Sequence, residues 1–242
     1  MRIAQVAEGV YRIRLGWGNA YLLHEGERSA LIDTGLQQDR ADLVAALKEI
    51  GVLPGMLEAV YLTHAHCDHA GNAAWLAGQG ARLIAHRAEA PYMGLPRRAY
   101  VPHKWKRLSR PHTMLMFAAA ERLYPVERRD ADGLVEEGEI LDAPGGALRV
   151  VHSPGHTPGH SAFWRERDRV LFSGDAIMNI IPFRRITALS LPIRAFSDDW
   201  QQCKQSARRL AELRPATLLA GHGRPLTEEA AAQLEAWTRT LR

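Results

Sequence analysis

The chain has 242 residues, 46% hydrophobic and 24% charged, with a formal net charge of +4 at pH 7. That length suits one large domain, residues 1–242, with a core that needs no cross-links, and the composition excludes disordered, collagen-like and coiled-coil chains. No apolar run reaches the roughly 18–20 residues of a membrane span or forms an N-terminal signal, and Cys67 and Cys203 are too few for a disulfide framework, so a cytoplasmic address without membrane contact is expected.

Residues 10–15 alternate as a strand, and 20–23 and 30–32 are short apolar runs between glycines and charged turns. Over 37–50 the period changes. Leu43, Leu47 and Ile50 share a helical face, and Gly51 ends it. A buried strand is expected at 59–62, a helix at 73–77 and a strand at 82–85. From 91 to 138 the pattern breaks, punctuated by Pro91, Pro96, Pro102, Pro111 and Pro125. Arg97, Arg98, Lys104, Lys106, Arg107 and Arg110 arrive there with no acid among them. Residues 112–124 then read as a helix apolar nearly all round, with Met114, Leu115, Met116, Phe117 and Leu123. This segment is expected to be an insertion over the body, either a lid or the interface of a homodimer. Strands return at 147–151, 161–164 and 170–172. An amphipathic helix over 199–213 (Trp200, Cys203, Ala207, Leu210), a strand at 217–220 and a helix over 227–241 follow. Strands and helices in both halves predict a layered α/β body.

Histidine is the unusual count, at eleven. His64, His66, Asp68 and His69 place four candidate metal ligands within six residues. His156 in SPGHTPGH, Asp175 after FSG and His222 after LLAG each sit where an apolar strand gives way to a Gly-containing turn. Their side chains therefore project from strand ends toward a cleft. Imidazole and carboxylate suit a borderline divalent ion such as zinc, with manganese or iron as alternatives. The size of the set suits two ions and a bridging carboxylate. Asp33, at another strand end, is placed to fix an imidazole's tautomer. Spacing alone does not divide the ligands. In an extended loop His64, His66 and Asp68 share one side, so the loop must curl to separate them.

These motifs, with the Leu31-Ile32-Asp33-Thr34-Gly35 element, make the chain resemble the metallo-β-lactamase-fold hydrolase superfamily from Val10 to about His222, glyoxalase II and lactonase-like members included. The resemblance implies a four-layer αββα sandwich with two divalent ions at one edge of the packed sheets. It implies that His64, His66 and His156 hold one ion, that Asp68, His69 and His222 hold the second, and that Asp175 bridges. His160, outside that ligand set, becomes a supporting residue, and Cys67 a small buried thiol.

Two such ions make hydroxide available near neutral pH, and Asp68 can orient it and take its proton. That suits hydrolysis of an ester, thioester or lactone in a small molecule, anionic or acyl-bearing. Asp175 stands where the family's zinc β-lactamases carry Cys or Ser, which disfavours antibiotic hydrolysis. Met178, followed by Asn179, stands where acyl-homoserine lactonases often place a tyrosine. With Met116 and Phe117, they are the candidate substrate-binding residues. The alternative from another class is a mononuclear iron sulfur dioxygenase, similar around the same histidine motif. A nucleic-acid phosphodiesterase is a weaker alternative. The basic run with Tyr100 and Trp105 could stack bases, but the overall charge is low and the run equally suits small anions.

Overall fold

Strands apolar on both faces have to be covered on both sides, and the central strands are of this kind. In the computed structural model, which describes residues 3–93, 123–124, 126–181, 184 and 186–241, they belong to two sheets. The first runs β1 (Ile3–Ala7), β2 (Val10–Arg14), β3 (Asn19–Glu25), β4 (Arg28–Ile32), β5 (Ala59–Tyr61), β6 (Arg82–His86) and β7 (Gly133–Val135), neighbours in space as in the chain. Its first four strands pair antiparallel, and β4 to β7 pair parallel. The second sheet comprises β8 (Ile140–Leu141), β9 (Leu148–His152), β10 (Ser161–Arg165), β11 (Val170–Gly174) and β12 (Thr217–Ala220). Here only β11 and β12 run parallel. The helices among the described residues are α1 (Arg40–Glu49), α2 (Cys67–Ala70), α3 (Ala73–Gly78), α4 (Ala90–Met93), α5 (Trp200–Glu212) and α6 (Ala230–Thr238).

Strand alternation sorts the side chains into three apolar layers. Tyr21, Leu23, Ile32, Tyr61 and Ile84 of the first sheet meet Val150, Phe163, Phe172 and Leu219 of the second. Tyr21 packs edge-on against Phe172 with ring centroids 5.6 Å apart. The opposite faces of the same strands, through Leu22, Leu31, Val60 and Leu83, cluster with Leu43, Leu47 and Leu76 of α1 and α3. Behind the second sheet, Val151, Trp164, Leu171 and Leu218 cluster with Ala207, Leu210 and Leu234 of α5 and α6. The result is the expected αββα sandwich. The Asp199 carboxylate caps α5, accepting from the amides of Gln201 and Gln202 at 2.8 and 3.0 Å.

The expected strands and helices lie within a few residues of these bounds. Three edge strands, β1, β7 and β8, were not legible in the sequence, since β7 and β8 are too short to show a period and only Ile3 of β1 is buried. Two features touch the ends of the expected insertion at 91–138. Met93 joins the core behind the first sheet, and β7, residues 133–135, completes that sheet beside β6. The helix expected over 112–124, with Met116 and Phe117, lies outside the described residues except for Leu123 and Tyr124, as does the basic run at 97–110. No helix among the described residues is long and apolar enough to cross a membrane.

Candidate metal centre

Four strand ends deliver the candidate ligands to one edge of the sandwich. After β5 the chain bends at Thr63, is extended at His66 (φ −66°, ψ 151°) and turns into α2 at Cys67. His64 and His66 bring their ring nitrogens together, Nε2 to Nδ1 at 3.0 Å. The helical turn redirects Asp68 and His69, so the curl that spacing required is a change of secondary structure inside the motif. His156 follows β9, Asp175 follows β11 and His222 follows β12. Three sets of donor atoms converge, each within 4.8 Å: His64 with His66 and His156, His64 with His69 and Asp175, and Asp68 with His69 and His222. Gly221 makes room for them, because a Cβ there would lie 2.6 Å from Asp175 Oδ1 and 2.7 Å from His69 Cε1.

The hydrogen bonds behind the imidazoles assign their tautomers. Thr63 has one hydroxyl proton, which goes to Asp33 Oδ2 at 2.8 Å. Its oxygen therefore accepts from His64 Nδ1 at 3.0 Å, and His64 Nε2 faces the cluster with a lone pair. Ser197 likewise donates to the Ile193 carbonyl and accepts from His156 Nδ1 at 3.4 Å. His69 Nδ1 donates to Asp33 Oδ2 at 2.8 Å, and His222 Nδ1 to the Trp17 carbonyl at 2.7 Å. All four rings thus turn Nε2 inward, the arrangement that metal-binding imidazoles take when a partner fixes the far nitrogen. His66 instead offers Nδ1, 3.0 Å from His64 Nε2.

Electrostatics divides the cluster. Burial and then the neighbouring imidazoles push His64 well below its ordinary value, and push His156 down to about 3. For His69 and His222 burial acts in the same direction but is outweighed by carboxylates. Asp175 is foremost for both, holding His69 well above its ordinary value and His222 at about 10. Burial would raise Asp68 and Asp175, yet His69 and His222 hold both below the carboxylate range. Two buried atoms, His156 Nε2 and Asp175 Oδ1, have no hydrogen-bond partner among the described residues. Unpartnered buried atoms of this kind are destabilising. Their position inside a converging set of imidazoles and carboxylates fits borderline divalent ions.

Asp33 and His160 stand behind this set. Asp33 accepts from the Thr63 amide, the Thr63 hydroxyl and His69, and it adopts a left-handed φ of 58° to do so. His160 Nε2 accepts from the Asp175 amide at 3.0 Å, so its Nδ1 donates to Ser153 Oγ at 2.8 Å. It orients Asp175 and has no lone pair left to face the cluster. Cys67 is buried and outside the converging sets. Met178 and Asn179, expected to face substrate, are both buried. Asn179 is engaged in holding the His222 turn, with its amide nitrogen donating to the His222 carbonyl and its Nδ2 to that of Arg224.

Other supports gave no sequence signal. Asn19 Nδ2 donates to the carbonyls of Ala220 and Gly223, and Tyr21 Oη to that of Ala220, pinning the His222 turn from the first sheet. Glu89, buried between β6 and α4, accepts from two of the metal-centre loops. The partners of both lie far away in sequence.

A family model described as Metallo-beta-lactamase superfamily matches residues 14–222. "Probable metallo-hydrolase YflN" of Bacillus subtilis is 29% identical over 240 residues, covering 92% of this chain and 87% of that protein. "Hydroxyacylglutathione hydrolase GloC" of Haemophilus influenzae is 27% identical over 173 residues, covering 66% of each. Among solved structures, the metallo-beta-lactamase family protein TTHA1429 of Thermus thermophilus superposes with a TM-score of 0.77 at 26% identity, covering 97% of this chain and 80% of that one. BJP-1, a subclass B3 metallo-beta-lactamase of Bradyrhizobium japonicum, gives 0.68 at 18% identity, covering 100% and 94%, a likeness of fold alone.

Proposed function

The chain belongs to the metallo-beta-lactamase superfamily, and from that premise we propose that it is a metal-dependent hydrolase cleaving an ester, thioester or lactone bond in a small molecule. The observation that carries this reading is the pair of converging triads, His64–His66–His156 and Asp68–His69–His222, with Asp175 between them. Zinc is the first choice of ion for such donors, and manganese or iron remain compatible.

Divalent ions held there would supply Lewis acidity toward a carbonyl and a hydroxide near neutral pH. The protein's own part follows from its geometry. His64 Nε2, His66 Nδ1 and His156 Nε2 would hold one ion, and Asp68, His69 and His222 would hold the other. Asp175 is placed to serve both, since its oxygens lie 3.3 Å from His69, 3.5 Å from His156 and 3.4 Å from His222. Thr63, Asp33, Ser197 and the Trp17 carbonyl keep the far ring nitrogens protonated, so these imidazoles cannot turn away. Asp68 is the most exposed carboxylate of the set, its side chain 17% accessible, and accepts the proton of the attacking water at the mouth of the site. A thioester is the preferred bond, supported by relatives named hydroxyacylglutathione hydrolase and "Atrochrysone carboxyl ACP thioesterase AacuM".

The sulfur dioxygenase reading has one observation in its favour. The set His64–His69–Asp175 is two histidines and a carboxylate, a donor group that suits mononuclear iron. Metal analysis with parallel assays separates the two. About two zinc or manganese ions per chain with hydrolysis of acyl-glutathione, acyl-carrier or lactone substrates supports the hydrolase. About one iron per chain, with oxygen uptake on glutathione persulfide and no hydrolysis, overturns it.

A further inference from the structure

Glu89 is a carboxylate that neither triad uses, and it is only 1% exposed. Its Oε1 accepts from the amide of Ala65, the residue between His64 and His66, at 2.8 Å. Its Oε2 accepts from the hydroxyl of Thr157, the residue after His156, at 2.7 Å, and from the amide of Gly159 at 3.0 Å. The turn carrying those donors lies directly on the Glu89 backbone. A Cβ on Gly159 would stand 2.1 Å from the Glu89 nitrogen, so only glycine permits the approach. One carboxylate therefore joins a loop of the first sheet to a loop of the second, at the residues flanking the three histidines. A backbone link between the same strand ends, from the Ser161 amide to the Thr63 carbonyl at 2.9 Å, is set back at the start of β10.

The environment of Glu89 argues for a specific task. Its donors are two backbone amides and a hydroxyl, and burial pushes its carboxyl up to about 7 against them. Among the described residues these hydrogen bonds bring it no cation, and a buried carboxylate held by neutral donors alone is destabilising relative to an apolar side chain. What it provides instead is a fixed separation between two loops that carry metal ligands. Its hydrogen bonds reach neither the ring nitrogens of the three histidines nor the Asp68, His69 and His222 set.

We propose that Glu89 is the positioning residue of the three-histidine half, setting the distance of His156 from His64 and His66 and thereby that half's affinity for its ion. This rests on reading the cluster as a metal centre. Glu89→Gln retains the volume and an acceptor for Ala65, but sets an NH2 group against the Gly159 amide. The test uses cobalt(II), whose visible spectrum reports coordination, titrated against a competing chelator. In a His222→Ala background, which leaves the three-histidine half, adding Glu89→Gln should weaken cobalt binding about 10–100-fold and alter its spectrum. In a His156→Ala background, which leaves the other half, the same change should shift cobalt affinity less than about twofold. Thr157→Val, which removes one of the three donors, should fall between the parent and Glu89→Gln in the first background. Equal weakening in both backgrounds, in step with a lower ion-free melting temperature, would reduce Glu89 to a general structural role and overturn the proposal. So would unchanged binding in both. Failure of the unmutated protein to bind cobalt would overturn the metal centre itself, and this inference with it.

Discussion

In the His64–His66–His156 half the one carboxylate within 4 Å of a ring, among the described residues, is Asp175 at 3.5 Å from His156, whereas in the Asp68–His69–His222 half Asp68 and Asp175 both face both rings. In the first half burial keeps His64 and His156 uncharged, with His156 held at about 3. In the second the histidines carry protons because Asp175 and Asp68 favour the charged form, with His222 held at about 10. One residue type is thus prepared in two ways for the same task. Desolvation leaves lone pairs ready, while a neighbouring carboxylate strengthens the final binding but makes an ion displace a proton first.

The most severe perturbation removes what the halves share. Asp175→Ala should lower metal content in both halves and abolish turnover, read by metal analysis and hydrolysis of the best substrate. Loss of one ion with turnover intact would deny Asp175 its bridging place. Asp68→Ala should come next, leaving the fold intact by circular dichroism while lowering kcat about 10²–10⁴-fold, the usual range for a lost proton acceptor, with further loss from the weakened half. His69→Ala and His222→Ala should release the second ion preferentially, and His156→Ala the first. A single pattern of loss for all three would dissolve the division.

A third measurement separates the halves through pH. In the ion-free protein His69 and His222 are protonated at neutral pH, so binding in their half must release protons. Its affinity should rise with pH through neutrality and level off only near the His222 value of about 10. His64 and His156 have no proton to release there, so affinity in their half should rise less steeply with pH over about pH 5–8 than in the other. Competition titrations on His222→Ala and His156→Ala proteins read each slope separately, and equal slopes would contradict the assignment.

The smallest effects belong to the supports. Asn19→Ala removes the donors to Ala220 and Gly223 from a buried site and should reduce stability by about 1–3 kcal/mol in denaturant unfolding, with weaker binding in the His222 half only. Ser197→Ala removes a longer contact, 3.4 Å from His156 Nδ1. It should weaken the three-histidine half by about tenfold or less. An Asn19 effect spread over both halves would mean that the two turns are not mechanically separate.

What each strand end carries was legible in the sequence. Apolar runs of strand length stop at turns, and His64, His66, His156, Asp175 and His222 follow those stops, because a ligand at the end of a buried strand is held by the sheet yet faces the cleft. Burial of β3 and β11 on both faces likewise shows as runs without polar alternation, which is why a layered body could be read from them. Tertiary structure decided the rest. The division of His66 from Asp68 depends on a helix beginning at Cys67, and no side-chain cap at His66 announces it. The edge strand β7 is three residues long and becomes a strand only by pairing with β6. Met178 and Asn179 follow closely on Asp175, and only the packed structure shows that they are buried and pair with Ser190 and Gly223. Glu89 is the extreme case, since its donors stand 24, 68 and 70 positions away. A local pattern records which side chains a strand or helix presents, whereas a hydrogen bond between distant loops exists only once the two sheets have packed.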